Sequence, residues 1–484
     1  MFNKLKKIFA KKSRPTENKK TQTAPRIAVV GAGLAGLTAA WRLHQKGHDV
    51  QVYEARPRVG GRVHTVLIKN LTGGYSLAEL GGQNMYDGGD ALSIQALAKD
   101  LGVELSADTS DFSRLFVDGK KVYDPHLLLQ QCHFTRQTIA QKLASLKDSA
   151  RHMGDVLDAF FEGNSILKRL FTFQLAGYEG SAPERLALHH NLETFIHMLL
   201  GGLSAAAQVE NNLKIKRLMA RDGNAHIPLA LEKKLQGRLH LNKILQSVIS
   251  VDEKIELTFS DGEKVLYDKV ILAIPCPVYK AIDFDPHVLP PDVLSALLKV
   301  QYGSNGKIMM PAHHQNRCYG AVITDEMVAF DNVDGEILTL YFTEKSAETL
   351  NQKAKTSVKK AITSLNAGFH YNGASLALST LEPVVPQESN FSQYEGPVVK
   401  SWAEDPFSRG SYANYGVALS GSKGGLQAQK TTYRGVPVRS LFAPVHDRLF
   451  FAGEHTTMLD EIGTMEAAVE SGNNVAKQIN ALIG

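Results

Sequence analysis

Along the chain, unbroken apolar runs, alternating runs and helical stripes follow one another in an order that predicts a fold. Ile27 to Val30 are continuously apolar, the pattern of a strand buried on both faces. Leu34, Leu37, Trp41 and Leu43 then form a helical stripe, Gly47 supplies a natural stop, and "DVQVYEA" predicts a second strand. Residues 91–221 predict mainly helices: "DALSIQALAKDLGV" ends at Gly102, and "HMGDVLDAFFEGNSILKRLFTF" keeps helical periodicity. "IELTFSDGEKVLYDKVILAIP" predicts two alternating strands around Asp261-Gly262, a hairpin signal. "VQYGSNGKIMM" predicts a turn and then a buried strand beginning at Lys307. Residues 335–343 predict a strand and 383–397 a loop. Near the end, "RLFFAGEHTT" contains a buried strand, and Met465, Ala468, Val469, Gly472, Val475, Ala476 and Ile479 recur at helical spacing.

The 484 residues suffice for two or three domain-sized units. A composition of 43% hydrophobic and 21% charged residues is that of a globular protein, and no stretch approaches eighteen uncharged apolar residues, so no membrane-spanning helix is expected. The formal net charge of +5 is unevenly spread: residues 1–25 hold eight Lys/Arg against Glu17, and the remaining chain carries −2. That body offers no electrostatic footprint for nucleic acid. The start lacks a secretory apolar core. Residues 1–24 read either as a disordered basic tail or as an amphipathic helix, Phe2, Leu5, Ile8 and Phe9 on one face, making peripheral contact with a membrane. Cys132, Cys276 and Cys318 are widely spaced with no C-x-x-C, which argues against a disulfide framework or zinc and fits a reducing, cytoplasmic setting. His189-His190 and His313-His314 are adjacent pairs; neighbours on a strand point to opposite faces, which argues against a metal site.

Gly31-Ala32-Gly33-Leu34-Ala35-Gly36 matches G-x-G-x-x-G between a strand and a helix, with Glu54 ending the next strand. Gly31 permits the tight turn, Gly33 lets the backbone approach a pyrophosphate, and Gly36 lets helix and strand pack closely. The helix N-terminus favours the anion, and Glu54 can accept hydrogen bonds from ribose hydroxyls.

"RPRVGGRVHT" follows immediately, with Arg58 and Arg62 flanking a second glycine pair as further phosphate donors. This continuation resembles the FAD-containing amine oxidase superfamily, which includes monoamine oxidases, polyamine oxidases and L-amino acid oxidases. The resemblance runs from residue 25 nearly to the end and includes "SLAELGGQNM", "SWAEDPFSRGSYANY" and "FFAGEHTTMLDEIGTMEAAVESG". It implies an α/β fold: a Rossmann-like, GR2-type FAD-binding domain (25–90, 222–290 and 436–484) and an α+β substrate domain (91–221 and 291–435). It carries FAD contacts onto Gly31, Gly33, Ala35, Gly36, Glu54, Ala55, Arg56, Gly61 and Arg62. Downstream it carries them onto Gly81, Gly82, Gln83, Val248, Gly453, Glu454, Thr464 and Met465.

In the same way the resemblance assigns Trp402 a place near the flavin, Tyr412 a wall of an aromatic cage for the amine, and Lys307 a water beside flavin N5. Physical chemistry agrees with each role. Aromatic faces suit an amine, and a fixed ammonium stabilises the charge that oxygen acquires in a dry site. Two departures stand out. Ser411 replaces the cysteine that attaches the flavin in some members, so FAD is expected to be non-covalent. Thr464 stands where monoamine oxidases have a second cage tyrosine, as in polyamine oxidases and histone demethylases. The implied activity is oxidation of a primary or secondary amine, an amino acid included, to an imine, with oxygen becoming hydrogen peroxide. The rivals are a same-fold flavin enzyme acting on carbon–carbon bonds and a non-catalytic FAD-binding protein. Arg114 and Arg409 are candidates for holding a substrate carboxylate, with nothing in the sequence to choose between them.

Overall fold

A computed structural model describes residues 24–85, 91–107, 114–200, 218–315, 320–332, 334–369, 375–419 and 425–484. The basic segment 1–23 and Cys318 lie outside the described residues.

Arg26–Val30 is the middle strand of a five-stranded parallel sheet, ordered Leu449–Phe451, Lys269–Leu272, Arg26–Val30, Asp49–Tyr53, Leu239–His240. Its unbroken apolar character follows from this position: Ile27, Ala28 and Val29 are completely buried between layers. Three distant stretches of chain supply the sheet. The helices Leu34–Gln45 and Met465–Ile483 pack together on it. Gly472 makes that packing possible, because a Cβ there would lie 2.5 Å from the Ala35 carbonyl oxygen. The hairpin is formed by Lys254–Phe259 and Lys264–Tyr267, with Gly262 in the left-handed region at φ +85°. It belongs to a four-stranded sheet with Leu245–Val251 and Asp283–Phe284.

A second large sheet is built around Asn305–Gln315, which pairs antiparallel with Ile337–Thr343, Val398–Ser401 and Ser375–Leu378. From Ile337–Thr343 it continues through Met327–Asp331, Ala321–Ile323, Arg114–Asp118 and Lys121–Tyr123. Met153–Phe160, Ser165–Glu179 and Leu188–Leu200 pack beside it through Phe160, Phe161, Phe171 and Phe195. Gly163, at φ +77°, and Asn164, whose side chain accepts from Leu167 N, divide the first two helices.

Three expectations need amendment. The stretch 91–221 is not helical throughout: Leu105–Ala107 pairs with Leu218–Ala220, and two further strands join the large sheet. Short strands whose partners lie far along the chain leave little local periodicity. The loop 383–397 contains Gln393–Tyr394, which pairs with Leu67 and Ile68. His189 and His190 lie on the helix Leu188–Leu200 rather than a strand. No helix among the described residues is long and apolar enough to cross a membrane.

Candidate active site

A cavity of about 650 Å³ is lined by residues from both large sheets. Gly31, Gly33, Ala35, Glu54, Ala55, Arg56, Gly61 and Arg62 form one end. Gly36 is not in the lining. A Cβ there would fall 2.0 Å from the Gly31 carbonyl oxygen, so its service is close packing of helix on strand, as its place in the fingerprint implies. Glu54 accepts from Ala32 N at 2.7 Å and from Arg56 N at 2.9 Å. Burial pushes its carboxyl up, and those N–H groups pull it back.

The arginines divide their work. Arg62 reaches the cavity and donates to Ser411 O (2.7 Å) and Glu454 Oε1 (2.8 Å). Arg56 lines the cavity but is clamped by Asp405 through two hydrogen bonds of 3.0 and 2.5 Å. Asp405 also accepts from Lys400 Nζ at 2.7 Å, and Glu388 accepts from Arg58 and Lys400. Burial would raise the Asp405 carboxyl, but Arg56 and Lys400 hold it well below the usual carboxylate range. Arg58, expected as a phosphate donor, is absent from the lining. It donates to the carbonyls of Val59, Gly61 and Val63 and to Glu388, so it braces the glycine loop from behind. The motif readings miss Asp405; the signal that marks it is its place in "SWAEDPFSRGSYANY", three residues after Trp402.

The segment from Glu79 to Gln83 meets Lys307 and Trp402. Lys307 Nζ donates to Glu79 O and Gly81 O, both at 2.8 Å, and lies 3.4 Å from Gln83 Oε1. Trp402 Nε1 donates to Leu80 O at 3.0 Å. Gly81 permits this junction, since a Cβ would sit 1.8 Å from Arg62 O. Gly82 follows in the lining and donates its N–H to Arg62 O. Burial lowers the Lys307 ammonium to about 8, with the Glu79 charge opposing the shift. Burial in turn lifts the Glu79 carboxyl to about 7 against the Asn224 N–H, the Thr65 hydroxyl and Lys307.

The end of the chain closes the cavity. Gly453, Glu454, Thr464 and Met465 all line it. Thr464 caps the helix Met465–Ile483, its hydroxyl accepting from Ala467 N at 3.0 Å, so the helix N-terminus faces the space. Val248 does not line it. That valine pairs with Leu257 and Phe284 within its sheet and is completely buried. Lys243, Ile244 and Leu245, where the same strand enters, do line it.

Tyr412 lines the cavity and donates to Tyr178 O at 2.7 Å. Its hydroxyl also meets Tyr341 Oη at 3.2 Å. Tyr341, on the strand opposite Lys307, supplies a second aromatic ring that the local motif at Thr464 lacks. Of the two candidate arginines, Arg114 lines the cavity, whereas Arg409 is exposed and donates to Pro406 O.

The residues fit FAD. Gly33 has open space where a Cβ would be, beside a helix N-terminus for phosphates. Glu454 Oε2 is buried without a partner among the described residues, an acceptor waiting for a hydroxyl. A family model described as flavin containing amine oxidoreductase matches residues 34–480. The chain belongs to that family. The family is flavin-containing, and at Ser411 this chain offers a flavin no cysteine: the hydroxyl there donates to Asn305 Oδ1.

The chain is similar to "Lysine-specific histone demethylase 1 homolog 1" of Arabidopsis thaliana, 25% identical over 94% of this chain and 52% of the relative, so it spans about half of that protein. It is 24% identical to the L-amino-acid oxidase of Siganus canaliculatus, covering 95% of this chain and 86% of the relative. It is 26% identical to amine oxidase B of Homo sapiens, at 95% and 86% coverage. Wild-type putrescine oxidase bound to putrescine shares the fold at TM-score 0.66, 18% identity, and 95% and 99% coverage. Cyclohexylamine oxidase from Brevibacterium oxydans does so at TM-score 0.67, 17% identity, and 94% and 99% coverage.

Proposed function

We propose that this enzyme oxidises a primary or secondary amine to an imine and passes the electrons to oxygen, giving hydrogen peroxide. Bound FAD supplies the hydride acceptor and the store of two electrons. We assign its holding to the segments 25–90, 222–290 and 436–484, and the substrate walls to 91–221 and 291–435. Gly31, Gly33 and Arg62 would hold the phosphates, Glu54 a ribose, and Glu454 a hydroxyl of the linker. Met465 and the helix N-terminus behind it would favour negative charge on a bound flavin.

Tyr412 and Tyr341 pack the amine and favour its cationic fraction. Lys307 holds a positive charge where oxygen becomes negative, and Trp402 fixes the backbone on which Lys307 rests. The carrying observation is the buried Lys307 ammonium, hydrogen-bonded to Glu79 O and Gly81 O in the cavity wall that also carries Trp402. A carbon–carbon oxidase has less use for an aromatic pair selective for cations. The test is anaerobic mixing of the holoenzyme with a panel of amines, followed by peroxide assay in air. Bleaching by an amine supports the reading; bleaching by a porphyrinogen and by no amine overturns it.

A further inference from the structure

The cavity extends past the aromatic pair to a region that the reaction at Lys307 does not employ. Gln174, Gly177, Tyr178 and Glu179 come from the last turns of the helix Ser165–Glu179, and Glu461 faces the cavity from the segment before the last helix. Gln174 is 4% exposed, and neither its Oε1 nor its Nε2 has a partner among the described residues. A buried amide with both ends unsatisfied is costly unless a ligand completes it. Among the described residues the Glu179 carboxylate accepts a single, long hydrogen bond, 3.4 Å from the Thr194 hydroxyl. Burial, and after it the charge of the nearby Glu461, pushes the Glu179 carboxyl up to about 8. The helix C-terminus adds its negative end to the same place.

We propose that this region binds a second cationic nitrogen, so that the substrate is a diamine or polyamine rather than a monoamine or an amino acid. The reading rests on the amine oxidation proposed above and specifies its substrate. The register supports the direction: Lys307 lies opposite Tyr341, Tyr341 meets Tyr412, and Tyr412 donates to Tyr178, the residue before Glu179. A nitrogen being oxidised near Lys307 therefore has the acids beyond the aromatic pair. The second ammonium would donate to the Glu179 carboxylate and Gln174 Oε1. Arg114, His197 and Asp331, the last bonded to His314 at 2.7 Å, also line the cavity, so an amino-acid arm belongs in the test.

The experiment is steady-state oxidation by the holoenzyme of α,ω-diamines, the matching monoamines and the matching amino acids, with anaerobic flavin bleaching beside it. The wild type should show a kcat/KM for its best diamine at least tenfold above the matching monoamine. Glu179→Gln should lower the diamine-to-monoamine ratio roughly tenfold or more, chiefly through the diamine KM, because it removes a hydrogen bond to a charged group. Gln174→Leu should move the ratio the same way. FAD absorbance and Tm are recorded for each variant, and Glu461→Gln replaces Glu179→Gln if the latter does not retain FAD. Equal use of diamines and monoamines, a preference for amino acids, or a ratio unmoved by these variants would overturn the inference while leaving amine oxidation intact. Failure of every amine to bleach the flavin would overturn the underlying reading instead.

Discussion

Replacing Lys307 with methionine removes the ammonium but keeps a chain of similar length in the wall. The lost charge is nearly a full unit at pH 7, since the ammonium titrates at about 8. For an oxygen anion roughly 5 Å away at an effective dielectric of about 20, that charge contributes about 3 kcal/mol. Reoxidation of the reduced enzyme should therefore slow about a hundredfold. The change also leaves Glu79 O and Gly81 O without their donor, at about 1–3 kcal/mol of stability. Neither carbonyl belongs to the glycine loop of the fingerprint, so FAD content should be retained while Tm falls. Stopped-flow mixing of reduced enzyme with oxygenated buffer reads the rate directly. In the wild type the rate should decline as pH rises past the ammonium pKa, at or above about 8, because only the protonated form carries the charge; the methionine variant should lose that inflection. Wild-type reoxidation in the variant, or an unchanged pH profile, would refute the reasoning.

Gly33→Val has free space in the fold, whereas a Cβ at Gly31 would lie 2.6 Å from Ala273 O at φ +107°. The first should fold with near-normal apoprotein Tm yet lose FAD, and Gly31→Ala should lose both, measured by thermal melts and released flavin. Asp405→Asn strips the carboxylate from Arg56 and Lys400 and should cost about 3–5 kcal/mol in chemical denaturation. Asp405 and Glu388 both have depressed pKa values; despite burial, Arg58, Arg56 and Lys400 hold Glu388 at about 2. Their stabilisation is present above the ordinary carboxylate pKa and lost as pH falls towards the depressed values, so wild-type Tm should drop below about pH 4 and that acid step should shrink in Asp405→Asn. Tyr412→Ala removes an aromatic face beside the amine and should raise its KM roughly tenfold in a peroxide assay.

The dinucleotide end of the site was legible because its requirements are local. A glycine turn, a helix start and an acid at the end of the next strand lie within one short stretch, and each faces the cavity or packs behind it as its residue type demands. The final helix was legible from its spacing, with Val469, Val475 and Ile479 buried against the first helix. Lys307 was legible as an oddity, a charge opening an apolar strand; its partners Glu79 and Gly81 come from more than two hundred residues away. Distance along the chain accounts for the misses. Nothing near Arg56 announces Asp405, and nothing near Thr464 announces Tyr341. Arg58 and Arg62 have the same local setting, and only the packed loop sends one behind the glycines and the other into the cavity. Val248 and Leu245 are both apolar positions of one strand, so the sequence pattern alone does not separate core from lining.

The most direct measurement is anaerobic titration of the purified holoenzyme with amines, read as loss of flavin absorbance and followed by admission of air with quantification of peroxide. The structure predicts bleaching by at least one amine, then return of the absorbance with one equivalent of hydrogen peroxide per flavin. An absorbance that no amine diminishes, in enzyme shown to hold FAD, would contradict it.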